Sequence, residues 1–271
     1  MKHILLLTDF SESARNAINY ATAFWSEEVC TFHLLHVVRS GSYTTESLIS
    51  GEANADVYES LLSTSKTRLE ALYQSLSKTN SNSKHQFKAH LDHDSFIAAI
   101  NQLIEKESIE VVVLGSNGAS NVSEVIFGSH ALKVMRHLEH NVLIVPDKFV
   151  FNPIKQLLVL LDSKDELSSL QAKRLEDLSK ALSSQIHVLC IDYREDMVEE
   201  RLNGKFTSKI TLTTINDVPM EYATSTYIQA NNIDMLVMVG QMEGFVDRLK
   251  GNTGKTRVSK LYQLPILLNR E

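Results

Sequence analysis

Apolar runs of strand length recur along the chain, five in each half and in the same order. Turn residues bound the runs and stretches with helical spacing separate them, which is typical of βαβ units around a parallel sheet. The predicted strands are residues 3–8, 31–38, 85–91, 110–114 and 141–145 in the first half, and 156–161, 185–191, 209–215, 234–239 and 265–268 in the second. The 271 residues are therefore predicted to form two α/β domains, 1–148 and 154–271.

The two halves also correspond in detail. Asp9 follows the first strand and corresponds to Asp162, 153 positions later, whereas Gly115 after the fourth strand corresponds to Gly240, 125 positions later. The second half therefore lacks about 28 residues between its second and third strands. At this place the first half has a polar loop and a helix, predicted at about 39–54 and 55–77.

Helix starts can be read from capping residues and apolar spacing. Ser11 or Ser13 is predicted to cap a helix that ends near residue 25, and Ser95 is predicted to cap another. The run 130–139 contains no glycine and predicts a further helix.

Composition and charge exclude several classes of protein. Hydrophobic residues make up 43% of the chain, enough to build cores, and the net charge of −6 gives no basic surface for nucleic acid or an anionic membrane. The apolar stretches fall short of the roughly 20 residues of a membrane span, and the first apolar run is too short for a signal peptide. Cys30 and Cys190 lie in or beside apolar runs, as buried thiols do in a reducing compartment. We therefore expect a cytoplasmic protein.

A glycine-containing loop after the fourth strand is the most informative segment for function. Gly115 and Gly118 are expected to permit positive φ and a close approach of backbone to a ligand. Gly128 and Ser129 are expected to open a helix, whose N-terminus favours an anion. The loop can therefore hold a polyphosphate at both ends, although turn glycines without a ligand are the alternative.

The predicted strand order places a carboxylate close to this loop. If the strand order is 3-2-1-4-5, strands one and four are neighbours at the switch point, where ligands bind in open α/β sheets. Asp9 ends strand one and Gly115 follows strand four, so both face one crevice. Asp9 can equally cap the helix that follows it.

The pattern Gly115-x2-Gly118-x9-Gly128-Ser129, with 8–13 at the end of strand one and 35–38 on strand two, resembles the ATP-binding universal stress proteins. The resemblance covers the whole chain as two copies and implies two tandem Rossmann-like, doubly wound domains, each with a five-stranded parallel sheet of order 3-2-1-4-5.

The resemblance also implies a ligand contact for each matching residue. Asp9 would meet the adenine or ribose end, the Val37 backbone would meet adenine, Leu114, Gly115, Asn117 and Gly118 would line ribose and phosphates, and Gly128, Ser129 and His130 would hold phosphates. Leu7 stands where the family often has Pro, and Asn117 replaces a common His or Arg.

The second half departs from this motif. Glu243 stands where the second glycine is expected, and Gly244-x9-Gly254 aligns only with an inserted residue and with Lys255 in place of the serine. The segment 251–256 resembles a P-loop but has the wrong glycine spacing. We therefore expect ATP, with Mg²⁺ that arrives with the nucleotide, in the first domain only.

Histidines on strands are interpreted as packed side chains rather than ligands, for His33, His36 and His187. Near the third strand His85, His90 and His93 accompany Asp92 and Asp94, where a solvated strand end is preferred to a metal cluster. We therefore predict no metal site built by the protein, and the sequence shows no nucleophile–base–acid constellation.

These observations favour a stress-response sensor or regulatory module that binds ATP and hydrolyses it slowly at most, with an unidentified protein partner. A nucleotide-free interaction scaffold of the same fold is the alternative. An adenylyl transferase is disfavoured because the first loop lacks a histidine pair of the HxGH type.

The edges of the two sheets predict how the domains are arranged. Members of the family commonly dimerise through the fifth strand, and here both fifth strands belong to one chain. Their union would make an intramolecular pseudo-dimer with 142, 144, 266 and 268 at the seam, which leaves other surfaces for a further homodimer. Two separate domains on the linker 147–153 are the alternative.

Overall fold

The computed structural model describes residues 1–38, 53–116, 127–239 and 263–270. Ten strands form a single sheet in the order β3-β2-β1-β4-β5-β10-β9-β6-β7-β8. The strands are β1 (Lys2–Leu7), β2 (Cys30–Val37), β3 (His85–Asp92), β4 (Val111–Gly115), β5 (Val142–Val145), β6 (Gln156–Asp162), β7 (Gln185–Ile191), β8 (Ile210–Ile215), β9 (Met235–Val239) and β10 (Ile266–Asn269). Each lies within one residue of its predicted limits, because buried parallel strands are continuous apolar runs.

Seven helices lie within the described residues. They are α1 (Glu12–Phe24), α2 (Ala53–Thr79), α3 (Phe96–Glu107), α4 (Ser129–His137), α5 (Ser169–Leu182), α6 (Glu195–Leu202) and α7 (Met220–Asn231). Ser11 caps α1, since its hydroxyl accepts a hydrogen bond from the Ala14 amide at 3.1 Å. Ser95 precedes α3 as predicted but makes no capping side-chain hydrogen bond.

Each half of the sheet has the strand order 3-2-1-4-5, which confirms the predicted topology. Neighbouring strands within a half are parallel, and each half places its first and fourth strands side by side. The fifth strands of the halves, β5 and β10, pair antiparallel, so Ile266 lies opposite Ile144 and Leu268 opposite Val142. The two fifth strands are thus adjacent within one chain, as the pseudo-dimer arrangement requires.

The core continues across the β5–β10 seam. Alternate residues of β1 face opposite sides of the sheet, with Leu5 in one apolar cluster and Leu6 in the other. Each cluster contains buried residues of both halves. Val142, Ile144, Ile266 and Leu268 are at most 2% exposed. The seam is therefore an interior of one molecule rather than a contact between two separate domains.

One segment differs in detail from expectation. The short helix α6 lies between β7 and β8, where the sequence predicted none. Most of the predicted loop 39–54 lies outside the described residues. In the part of the chain that the structure describes, none of the helices is both long and apolar enough to cross a membrane.

Candidate functional site

A cavity of about 500 Å³ opens at the carboxyl ends of β1 and β4, the switch point of the first half. Its walls come from the ends of β1, β2 and β4, from α2 and α3, and from the first turn of α4. Of the predicted site residues, it brings together Asp9, Val37, Leu114, Gly115, Gly128, Ser129 and His130. Asn117 and Gly118 lie outside the described residues.

The turn after β1 is held by its own side chains. The Asp9 carboxylate accepts a hydrogen bond from the Ser11 amide at 3.0 Å, and the Thr8 hydroxyl accepts one from the Phe10 amide at 3.0 Å. Phe10 has a positive φ of 65°, which this short turn into α1 requires. Asp9 therefore shapes the turn and also lines the cavity, while Ser11 caps the helix.

His36 lies at the wall of this cavity as a packed, hydrogen-bonded side chain, as predicted. Its Nδ1 is 2.8 Å from the Thr8 carbonyl oxygen, so Nδ1–H donates and Nε2 is left as an acceptor. Burial lowers the pKa of His36, although the Thr8 carbonyl opposes this shift. The imidazole is therefore a neutral acceptor near the switch point.

Gly115 has a different role from the predicted one. It has no positive φ, and a Cβ built on it would overlap the Ser13 hydroxyl and lie 2.8 Å from the Ser13 carbonyl oxygen. Glycine is therefore required because α1 approaches β4 closely, and not because of a positive φ. The expectation of positive φ at Gly115 was wrong.

The first turn of α4 faces the cavity. Gly128 is the N-cap residue with extended backbone and gives α4 no side-chain hydrogen bond, while its amide donates to the Ser116 carbonyl at 2.8 Å. The first amides of a helix have no acceptor within the helix, and the helix dipole adds positive potential there. The His130 ring stacks on Phe96 with centroids 4.4 Å apart, which holds this imidazole against α3.

Ser116 is a cavity residue that sequence reasoning missed. It is 1% exposed, and its hydroxyl has no hydrogen-bond partner among the described residues. Buried hydroxyls are normally paired, so an unpaired one at a cavity wall marks a place where a ligand can bind. A serine after a strand is common in turns, and the sequence alone therefore gave it no prominence.

The second half lacks an equivalent short turn. Two residues separate Asp9 from α1, whereas six separate Asp162 from α5. That longer loop contributes buried Leu167, and Tyr193 packs against it with its hydroxyl donating to the Asp165 carbonyl at 2.8 Å. The glycine segment of this half, 240–262, lies outside the described residues, so the prediction of a degenerate motif there stays a prediction.

The other predicted histidines are packed as expected. His187 is 6% exposed and lies within hydrogen-bond distance of Tyr227 and Gln156. The group near the third strand is not one cluster, because His85 lies 3.0 Å from the Trp25 carbonyl whereas His90 lies against His33.

Comparison with known proteins shows which proteins this chain is similar to. The profile of the Universal stress protein family matches residues 1–146. Universal stress protein MJ0577 of Methanocaldococcus jannaschii is 27% identical over 159 residues, which cover 54% of this chain and 96% of that protein.

Two solved structures share the fold over 99% of this chain. A universal stress protein from Archaeoglobus fulgidus has a TM-score of 0.66 at 17% identity, with 98% of its chain covered. Protein PA1789 of Pseudomonas aeruginosa, described as functionally unknown, has a TM-score of 0.55 at 12% identity, with 92% covered. With the family profile matching more than half of its length, this chain belongs to the universal stress protein family.

Proposed function

We propose that the cavity at the ends of β1 and β4 binds ATP, and that the protein acts as a nucleotide-responsive sensor or regulatory module. The observation that carries this proposal is the convergence of seven sequence-predicted residues on one cavity at the switch point. A volume of about 500 Å³ suits a small ligand, since such sites commonly measure about 300–1,000 Å³.

The two sides of the cavity differ in the way a nucleotide requires. Apolar walls come from Leu35, Val37 and Leu114, where a base can be buried. The opposite side carries the N-terminus of α4 at Gly128 and Ser129, where amide donors and the helix dipole favour phosphate. The base would therefore lie towards β2 and the phosphates towards α4.

The buried Ser116 hydroxyl fits such a ligand because a ribose or phosphate oxygen would satisfy it. Mg²⁺ would be held mainly by the phosphates and water, as is usual for this ion with nucleotides. Hydrolysis is at most slow in this proposal, since the sequence shows no nucleophile–base–acid constellation.

Isothermal titration calorimetry of the full chain with Mg-ATP tests the proposal. Ser129→Asp places a carboxylate at the first residue of α4, where it favours the helix but repels phosphate. We expect binding by the native chain and a loss of affinity of more than about tenfold in this variant, with unchanged thermal stability.

The matched control is Ser169→Asp, which makes the same change at the first residue of α5. Its affinity for ATP should equal that of the native chain. Absence of ATP binding by the native chain would instead support the nucleotide-free scaffold.

A further inference from the structure

Three histidines run diagonally across β1, β2 and β3, starting from the end of β1 that is remote from the cavity. His3 on β1 and His33 on β2 approach to 3.0 Å between Nδ1 and Nε2, and His33 Nδ1 lies 3.0 Å from His90 Nε2 on β3. His3 precedes Asp9 by six residues, which is about 20 Å along an extended chain. This histidine cluster, completed by Glu107, is therefore separate from the proposed nucleotide site.

Glu107, the last residue of α3, brings a carboxylate to the cluster. Its Oε2 lies 3.8 Å from His33 Nδ1. His3, His33 and Glu107 each offer one donor atom, and these atoms lie within 4.8 Å of one another. Two imidazole nitrogens and a carboxylate oxygen are a donor set that suits zinc and its neighbours among the transition metals.

Burial and access also suit an ion. His33 is fully buried, whereas His3 and Glu107 are partly exposed, so the cluster can be reached from the surface. When the His33 nitrogen that faces His3 holds an ion, the other ring nitrogen still faces His90. Metal-bound histidines usually have such a hydrogen-bond partner on their second nitrogen.

The second half shows that the fold does not need this cluster. Strand register makes His187 the equivalent of His33. His33 lies two residues beyond the strand partner of His3, and His187 lies two residues beyond the strand partner of Gln156. By the same register Gln156 replaces His3 and Thr213 replaces His90. His187 is satisfied there by the Gln156 amide oxygen at 2.8 Å and the Tyr227 hydroxyl at 3.0 Å. A buried strand histidine is thus accommodated without further histidines or a carboxylate.

We propose that His3, His33 and Glu107 bind one divalent transition-metal ion of the zinc type, and that His90 orients the ring of His33. The positive charge of such an ion would be partly balanced by Glu107. The site would leave at least one coordination position for water or another ligand, since zinc usually takes four ligands.

Lys88 competes with this ion. Its ammonium lies 2.9 Å from Glu107 Oε2, and its side chain is 50% exposed. An ion must release this lysine to water or share the carboxylate with it. Removal of Lys88 should therefore tighten metal binding, an effect opposite in sign to that of removing a ligand.

The test is a calorimetric titration of the full chain, free of any histidine tag, with ZnCl₂. We expect one ion per chain, and a loss of affinity of at least about tenfold in both His3→Gln and Glu107→Gln. Both residues are partly exposed, which preserves the fold, and glutamine is the residue that the second half carries in place of His3. Lys88→Met should bind zinc more tightly than the native chain.

His137→Gln is the matched control, because it removes an exposed histidine outside the cluster and should leave affinity unchanged. Equal affinity in the native chain and in both ligand variants, or an equal loss in His137→Gln, would overturn the proposal. The visible spectrum of the Co²⁺-substituted chain gives a second readout, since the His3→Gln variant should lose its ligand-field absorption. Ser129→Asp should bind zinc normally, so failure of one proposed site is distinguishable from failure of the other.

Discussion

The carboxyl ends of β1 and β6 occupy the same place in two halves of identical strand order, but the described residues that follow them differ. In the first half only two residues separate Asp9 from α1, and the α4 N-terminus lines the cavity. In the second half a six-residue loop separates Asp162 from α5, and the buried Tyr193 donates a hydrogen bond to the Asp165 carbonyl within that loop. Strand order thus decides where the first and fourth strands end side by side, whereas loop length decides how soon the next helix begins.

The largest expected effect comes from removing the tyrosine ring that packs against the loop after β6. Tyr193 is 1% exposed, and Tyr193→Ala should lower the free energy of unfolding by about 3–5 kcal/mol, as expected for loss of a buried aromatic ring. Denaturant unfolding measures this loss. Tyr193→Phe, which removes only the hydrogen bond to Asp165, should cost about 1 kcal/mol. Equal losses in the two variants would show that the hydrogen bond, and not the ring, accounts for the stabilisation.

The close approach of α1 to β4 in the first half predicts the next effect. Gly115→Ala should cost about 2–3 kcal/mol of stability, because the new methyl group overlaps Ser13. Gly204→Ala is the control: its methyl group meets open space, so only the positive φ of 71° opposes it, at about 1 kcal/mol. Equal losses in the two variants would show that space at Gly115 is not limiting.

Acid should weaken the stabilisation that one carboxylate of the second half provides. In the second half Glu176 accepts hydrogen bonds from the Ser208 and Thr207 amides, each at 2.6 Å, which together with the Ser208 hydroxyl lower the pKa of Glu176 to about 2. The stabilisation is complete above the ordinary pKa of 4.5 and is lost as pH falls towards 2. Glu176→Gln should lower the melting temperature at pH 7 by several degrees, and this difference should shrink below pH 4.5. The exposed Glu200→Gln should show neither effect.

The smallest expected change in stability concerns a substitution in the first crevice that should weaken ATP binding. Ser116→Ala removes a buried hydroxyl without a described partner, so stability should stay within about 0.5 kcal/mol of the native value. ATP affinity should fall by about threefold to tenfold if that hydroxyl meets the ligand. Ser13→Ala removes another such hydroxyl, which is outside the cavity lining, and should leave affinity unchanged. A fall of equal size in both variants would contradict the proposed ligand contact.

The sequence predicted the strands well because their apolar runs are long enough to leave one interpretation. It also predicted the placement of Asp9 beside the Gly128–Ser129 helix start, since strand order alone brings these positions to one crevice. The adjacency of β5 and β10 followed from the same order, which leaves each fifth strand at an edge.

Other features depend on contacts between elements that are distant in the chain. The role of Gly115 is set by Ser13 on α1, and the histidine cluster becomes visible only when the register of β1, β2 and β3 is known. Local patterns contain neither piece of information. The helix α6 was missed because its eight residues carry only a weak apolar pattern.

Native mass spectrometry of the full chain with Mg-ATP, under conditions that keep the chain folded, tests the central claim most directly. The account predicts one nucleotide per chain, lost in Ser129→Asp and retained in Ser169→Asp. Two equivalent nucleotides per chain, or none, would contradict it.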